Sequence, residues 1–388
     1  MSAKRNDVIV VDYDMVTALG KDAQKSWHAI IAGHAGKCGL APDTRFYPAD
    51  ADKCYPVGVV AAADSEAVMG RSRFMRVMAP LLPGMGTVVP PDAKLILATT
   101  VGEIDLLEAN CEDGKPLDTL THVREELGLE RPGLLLSAAC ASSTAALATA
   151  GEWIASGRES CVCVLGCDAL SEFVYSGFLS LQALSAGHAR PFAPDRDGLN
   201  LGEGAGYMLL MSDERARKER RWREGRLAGW GSACDAYHAT TPDPEGKGLV
   251  RAIRAALECA KLKPSDIASI CAHGTATPFN DAMEECAFAD VFRSVPQSAL
   301  NTFVFGKNKP PPYFSVKGAI GHTLGAAGVI EAIFTLLALD CEHVPFTVGN
   351  ANLPRRNVGG RFGLTTNSGF GGINTALVFL SYETDSSV

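Results

Sequence analysis

No stretch of the chain is long and apolar enough to be read as a membrane span. The most apolar late run, residues 329–339, is broken by Glu331 and is too short to cross a bilayer. Around the apolar residues 8–11 there is no signal-peptide core of adequate length and no A-x-A cleavage pattern, so a cytoplasmic protein is expected. A basic excess is also lacking. The 36 Lys and Arg face 44 Asp and Glu, a formal charge of −8, which argues against a general nucleic-acid binder. Low-complexity tracts are missing, and 47% hydrophobic with 21% charged residues excludes a disordered chain. The loop around Gly318–Gly321 matches neither G-x-x-x-x-G-K-[ST] nor a Rossmann fingerprint. The C-x-C-x3-C spacing of Cys161, Cys163 and Cys167 has no zinc framework to complete it, so packed thiols are expected and no metal site. The 12 cysteines are scattered through a long chain, and reduced thiols are the expected state.

What is present is a sequence of 388 residues with 39 glycines, rich in tight turns and close backbone approaches. Apolar and β-branched runs predict strands at 7–12, 94–99, 133–137, 160–166 and 207–211. Helical patterns fall at 24–32, with Gly33 as its stop, at 143–154 and at 214–226. Residues 38–70, with Pro42, Pro48 and Pro56, read as irregular. The pattern then restarts, with strands at 227–232, 267–272 and 376–381 and helices at 248–261 and 328–339. Strands alternating with helices predict an α/β architecture. Two rounds of similar length predict two related halves, 1–226 and 227–388. No linker separates them and no sequence repeat is visible, so they are expected to share one core.

Four stretches carry chemistry. Ser137-Ala-Ala-Cys140-Ala-Ser-Ser-Thr144 joins an apolar strand to a small-residue helix and puts Cys140 at a helix N-terminus. Unpaired N–H groups and the helix dipole favour a thiolate there. Cys140 as one more buried thiol is the competing reading. His273-Gly-Thr-Ala-Thr277 ends an apolar strand. Lys317 and His322 lie in the glycine-rich Phe314–Gly328 stretch, which leads into a helix containing Glu331. Each histidine taken alone fits a structural role as well as a catalytic one. Asn367-Ser-Gly-Phe370-Gly-Gly-Ile-Asn374 is either an ordinary turn or a loop with an exposed N–H and a mobile aromatic.

Together, S-A-A-C-A-S-S, H-G-T-A-T-P, K-x-x-x-x-H-T-L-G-A-A-G and G-F-G-G-I-N, in this order, resemble the elongating β-ketoacyl-[acyl-carrier-protein] synthases, condensing enzymes of the thiolase fold. Further matching stretches begin at Arg190, Leu201 and Asp235. The resemblance implies two thiolase-like halves in a layered α-β-α-β-α core. It implies that Cys140 carries the acyl chain as a thioester. His273 and His322 would bind the thioester carbonyl of malonyl-acyl carrier protein as CO₂ leaves. The N–H groups of Cys140 and Phe370 would form a second oxyanion hole. Lys317 would hold the histidine geometry, with Asp281, Glu284 or Glu331 as its balancing partners. Phe370 would act as a gate, with Gly369 and Gly371 giving its backbone freedom. No cofactor and no metal is implied.

The resemblance also implies partners: an acyl carrier protein, loaded with acyl or malonyl groups, and a second subunit. That subunit is either a copy of this chain or a ketosynthase-like relative. Nucleic acid and membrane are not expected partners. Arg71, Arg73 and Arg76 match the family's docking region. The basic run 215–226 reads as a solvated helix before it reads as docking. The alternative function is a non-catalytic or chain-length-determining subunit, which the intact Cys-His-His set argues against. Three departures from the family stand out: Val11-Asp-Tyr-Asp14 in place of a glycine turn, Ser368 where a Phe is usual, and a short segment between Leu107 and the Cys140 strand. They suggest a specialised substrate, in secondary metabolism such as polyene synthesis.

Overall fold

The computed structural model describes residues 5–32, 39–41, 55–66, 71–109, 118–293, 310–353 and 356–382. The expected helix stop at Gly33, Pro42 and Pro48 of the irregular segment, and part of the short segment after Leu107 lie outside the described residues.

Ten strands build one mixed sheet. The first half supplies β1 (Val8–Val16), β2 (Lys94–Ala98), β3 (Leu134–Leu136), β4 (Cys161–Asp168) and β5 (Gly204–Ser212). The second supplies β6 (Gly225–Cys234), β7 (Ile267–Cys271), β8 (Tyr313–Phe314), β9 (Phe362–Gly369) and β10 (Ile373–Ser381). Their spatial order is β8-β7-β9-β10-β6-β1-β5-β4-β2-β3. Read outward from the central β1–β6 pair, both halves follow the same path. The pairings outward from the centre are antiparallel, antiparallel, parallel and parallel on each side. A repeat invisible in residue identities is therefore explicit in topology.

Two helices fill the middle. α2 (Ser142–Ala155) and α5 (Ala327–Asp340) touch each other, and each packs on strands of both halves. Every residue of α5 from Ala327 to Leu339 is buried, as an apolar-all-round helix requires. Each large aliphatic or aromatic side chain so buried contributes roughly 1.5–3 kcal/mol. Outside the first half, α1 (Arg73–Met78) packs on β4 and β5; outside the second, α3 (Lys247–Ala260) packs on β6 and β10, with α4 (Pro278–Phe292) beside it. The two wings of this one sheet lie on either side of α2 and α5, and with the outer helices they give the α-β-α-β-α layering of the thiolase-like fold. Cys161, Cys163 and Cys167 lie in the apolar core under α1.

One local expectation needs correction, and two elements lie outside what the sequence predicted. The helix expected over 214–226 runs only over Asp213–Lys218. Ser212 caps it, Arg220 then takes a left-handed φ of 53°, and β6 starts at Gly225. β9 was not legible because its Thr365, Thr366 and Asn367 are polar yet fully buried, Thr366 bonding Glu284 and Asn367 facing Glu331, while the Thr365 hydroxyl meets no partner among the described residues. α4 was hidden for the same reason, since Asn280, Asp281 and Glu284 are buried on it. At Val11-Asp-Tyr-Asp14 the chain makes no glycine turn. β1 runs through, bulged between Val10 and Asp12, and Asp14 accepts the Ala23 N–H at 2.6 Å.

Candidate active site

Cys140 sits where β3 gives way to α2. Ala139, just before it, holds a left-handed φ of 49°, a costly conformation for a residue with a Cβ. The kink is held by Ser142, whose hydroxyl accepts the Ala138 N–H at 2.9 Å and donates to the Ala139 carbonyl at 2.5 Å. Cys140 is 6% exposed and faces a cavity of about 340 Å³. The expected thiolate preference is not met at rest. Burial, reinforced by Asp168 and Glu331, outweighs the nearby Lys317 and pushes the thiol up to about 12.

His273 follows β7 and His322 precedes α5, and both line the same cavity as Cys140. Their rings meet edge to face, 5.3 Å between centroids at 87°. Burial and then Lys317 hold both rings well below the usual imidazole range, so both are neutral at pH 7. The His322 backbone is fixed by a donation to the Asn200 carbonyl at 2.7 Å. The His273 turn is fixed by Glu284, which accepts the His273 N–H at 2.8 Å and the Gly274 N–H at 2.7 Å.

Lys317 lies behind His273. Its Nζ donates to the His273 carbonyl at 2.6 Å, stands 3.3 Å from His273 Nδ1, and pairs with Glu331 Oε1. Of the three carboxylates expected to balance it, only Glu331 does so directly. Glu284 is spent on the His273 turn. Asp281 accepts the Phe192 N–H at 2.7 Å and the Ala276 N–H at 3.2 Å, tying the far end of the His273 loop to the Phe192 loop. Burial raises Asp281 to about 6 and Glu284 to about 7.

Phe370 is 37% exposed at the cavity mouth and stacks on Phe178, 5.8 Å between centroids. The glycines around it differ in role from expectation. Gly371 has a φ of +85° and open space around it, whereas Gly369 has no such conformation. A Cβ on Gly369 would stand 2.8 Å from the Ala138 carbonyl oxygen and 3.3 Å from the Cys140 nitrogen. Gly369 is there for close approach to the cysteine turn. Ser368, at the family's Phe position, also lines the cavity and donates to Asn374 Oδ1 at 2.7 Å.

The three arginines expected to dock a carrier protein are not equivalent. Arg71 is half-exposed and bonds Glu126 at 2.8 Å. Arg76 is partly buried near Asp64. Arg73 is corrected: it points inward, 3% exposed, and pairs with the fully buried Glu203, so it is not surface. Asn367 and Thr144 were missed by sequence reasoning. Asn367 stands 2.7 Å from Glu331 Oε2 and 3.2 Å from His273 Nδ1, and Thr144 donates to its Oδ1. No signal in the sequence singles out Asn367, because its partners arrive from three other segments. Among the described residues no cluster of His, Cys, Asp or Glu could hold a metal ion, and no helix is long and apolar enough to cross a membrane.

Comparison with known proteins agrees with this geometry. "Beta-ketoacyl synthase, N-terminal domain" matches residues 121–216, and "Beta-ketoacyl synthase, C-terminal domain" matches residues 225–350. A "3-oxoacyl-[acyl-carrier-protein] synthase homolog" of Saccharomyces cerevisiae is 34% identical over 64% of this chain, a stretch that spans 58% of the yeast protein. "3-oxoacyl-[acyl-carrier-protein] synthase 2" of Synechocystis is 29% identical over 98% of this chain and 99% of its own length. Among solved structures, "the ishigamide ketosynthase/chain length factor" superposes with a TM-score of 0.80 at 25% identity, covering 97% of this chain and 100% of that one. The chain thus belongs to the β-ketoacyl synthase family, the acyltransferase-type condensing enzymes of fatty acid and polyketide synthesis.

Proposed function

We propose that this chain performs a decarboxylative Claisen condensation between an acyl group on Cys140 and malonyl-acyl carrier protein. The observation that carries the reading is the convergence of one thiol and two neutral imidazoles, from both halves of the fold, on a single cavity. In the first step Cys140 sulfur attacks the acyl-carrier thioester and the carrier thiol leaves, taking up the proton that Cys140 loses. In the second, the malonyl C–CO₂ bond breaks and its electron pair moves into the thioester as an enolate. His273 and His322 line the cavity where that oxygen gains charge, and each neutral ring has one N–H to give it. The enolate carbon then attacks the Cys140 thioester, whose oxygen meets the N–H groups of Cys140 and Phe370. Collapse forms the new C–C bond's β-ketone and frees the Cys140 sulfur.

The carrier protein, the two-half division at 226/227 and a cytoplasmic setting belong to this proposal. The repeated strand order supports the division, although β6 already begins at Gly225. A second subunit fits the sheet edge at β3, where Leu135 is 50% exposed and backbone groups face outward. The ketosynthase/chain length factor neighbour keeps both a homotypic and a mixed pairing open to test.

Intact-protein mass after incubation with a panel of acyl-carrier proteins tests the reading. A mass gain on wild type, absent in Cys140→Ala and discharged by malonyl-carrier protein as an extended product, is expected. A folded protein that no carrier acylates, alone or with a partner subunit, would point to the non-catalytic role.

A further inference from the structure

We infer that Asn367 is a positioning residue that fixes the tautomer of His273, so that its single ring proton sits on Nε2, the nitrogen left free for the cavity. The inference rests on the condensing reading only for its kinetic consequence; the tautomer itself follows from geometry.

Asn367 is fully buried on β9, and each of its polar atoms is committed. Thr144, on α2, donates its hydroxyl proton to Asn367 Oδ1. Glu331 Oε2 lies 2.7 Å from Asn367 Nδ2. These two contacts set the amide orientation, because the flipped amide would put two acceptor oxygens against each other at the Glu331 carboxylate. One Nδ2 hydrogen is spent on Glu331. The other faces His273 Nδ1 at 3.2 Å.

An amide nitrogen can only donate. His273 Nδ1 must therefore accept, and a neutral ring that accepts at Nδ1 carries its proton at Nε2. Lys317 Nζ, 3.3 Å from the same nitrogen, is also donor-only and agrees in sign. Yet Lys317 has nearer partners in the His273 carbonyl at 2.6 Å and Glu331 Oε1. Its hold on Nδ1 is the looser of the two. His322 forms the contrast. Its Nδ1 is buried and makes no hydrogen bond to a described residue, so nothing described there selects its tautomer. The site therefore has one preset donor, His273, and one histidine free to adapt.

The supports come from four separate segments: α2, the short helix that begins at Lys317, α5 and β9. A merely structural amide would need no donor-only atom facing a catalytic ring. The test uses the full-length protein with ¹⁵N-labelled histidine, and Asn367→Asp as the sharpest variant. Asp keeps the shape and replaces the donor by an acceptor. Wild type should show the Nε2–H tautomer for His273. Asn367→Asp should move the proton to Nδ1, or doubly protonate the ring and raise the acid limb of the pH profile. Malonyl-carrier decarboxylation should then fall about 100-fold, the scale of one lost oxyanion donor. Acylation of Cys140, which does not use the enolate, should fall far less. Asn367→Ser, smaller and neutral, serves if the Asp variant does not fold, and should give a mixture of tautomers with an intermediate loss.

An Nδ1–H resonance in wild type overturns the inference outright. So does an unchanged tautomer in the variants, which would assign the role to Lys317 alone, and so does an equal loss of acylation and decarboxylation. If wild type shows the Nε2–H tautomer yet decarboxylates no malonyl carrier, the tautomer assignment stands and the condensing reading fails.

Discussion

Lys317 and Glu331 form an ion pair whose side chains are 2% and 1% exposed, set directly behind the His273 ring. Such a pair is costly to desolvate and is stable only while both charges are present and fully bonded. Removing one partner strands the other. Lys317→Met and Glu331→Leu should each lower unfolding free energy by about 3–5 kcal/mol, whereas the double variant should recover a good part of that loss. Urea unfolding of the three variants measures it. Single and double variants losing stability additively would show that the pair is not coupled.

Arg73 gives a prediction that separates docking from stability. Its partner Glu203 is 0% exposed and also accepts the Val60 N–H at 2.9 Å. Arg73→Ala should cost about 3–5 kcal/mol by leaving that carboxylate unpaired in the interior. Its losses should be equal on carrier-bound and CoA-bound acyl groups. Arg71→Glu, at the surface, should leave thermal stability unchanged and raise KM for carrier-bound substrate only. A KM unchanged for both substrate forms would remove Arg71 from the docking surface.

The reason Arg73 misled the sequence reading is general to this chain. Arg71, Arg73 and Arg76 were legible as a basic group, but which of them turns inward to Glu203 was not, because the partner lies 130 residues away. The cysteine turn, the two histidines and the glycine loop could be read because small residues and glycines cluster where backbones approach closely. Asn367 could not, since its meaning depends on Thr144, Glu331 and His273 arriving from three other segments. The same holds for the fold. Apolar runs betrayed β2, β4, β5 and β7, whereas β9 and α4 carry their buried polar residues toward the site and break the period that reveals them.

Gly369 tests how closely the gate loop and the cysteine turn must fit. A methyl there would press on the backbone at Ala138 and Cys140, atoms that cannot swing aside. Gly369→Ala should therefore slow Cys140 acylation by tenfold or so, the effect of about 1.4 kcal/mol on a barrier. Gly371→Ala meets no atom but would hold a left-handed φ, at a cost of roughly 1–2 kcal/mol in stability. Acylation rates by mass and melting curves of both variants distinguish the two effects. A Gly369→Ala enzyme that acylates at the wild-type rate would show that the turn can yield.

The pH dependence should report Glu284 rather than either histidine. Both rings are held well below the usual imidazole range and stay neutral as pH falls through 6.5, so they give no inflection there. Glu284 is raised to about 7, chiefly by burial and then by Asp281, and only its ionised form accepts the His273 and Gly274 N–H groups with full strength. Activity should therefore decline as pH falls through about 7, with the protonated acid loosening the His273 turn. Stability runs the other way. The folded-state value lies above the ordinary carboxylate range, so this group favours the folded state at low pH, and that contribution is lost as pH rises through about 7. In Glu284→Gln the amide keeps one acceptor and cannot titrate. Its activity should be lower than wild type at pH 8 but flat between pH 6 and 8, while its unfolding free energy should lose the corresponding slope. Rate profiles for malonyl decarboxylation, with urea unfolding across the same pH range, measure both. An acid limb that persists unchanged in Glu284→Gln would assign the titration to another group.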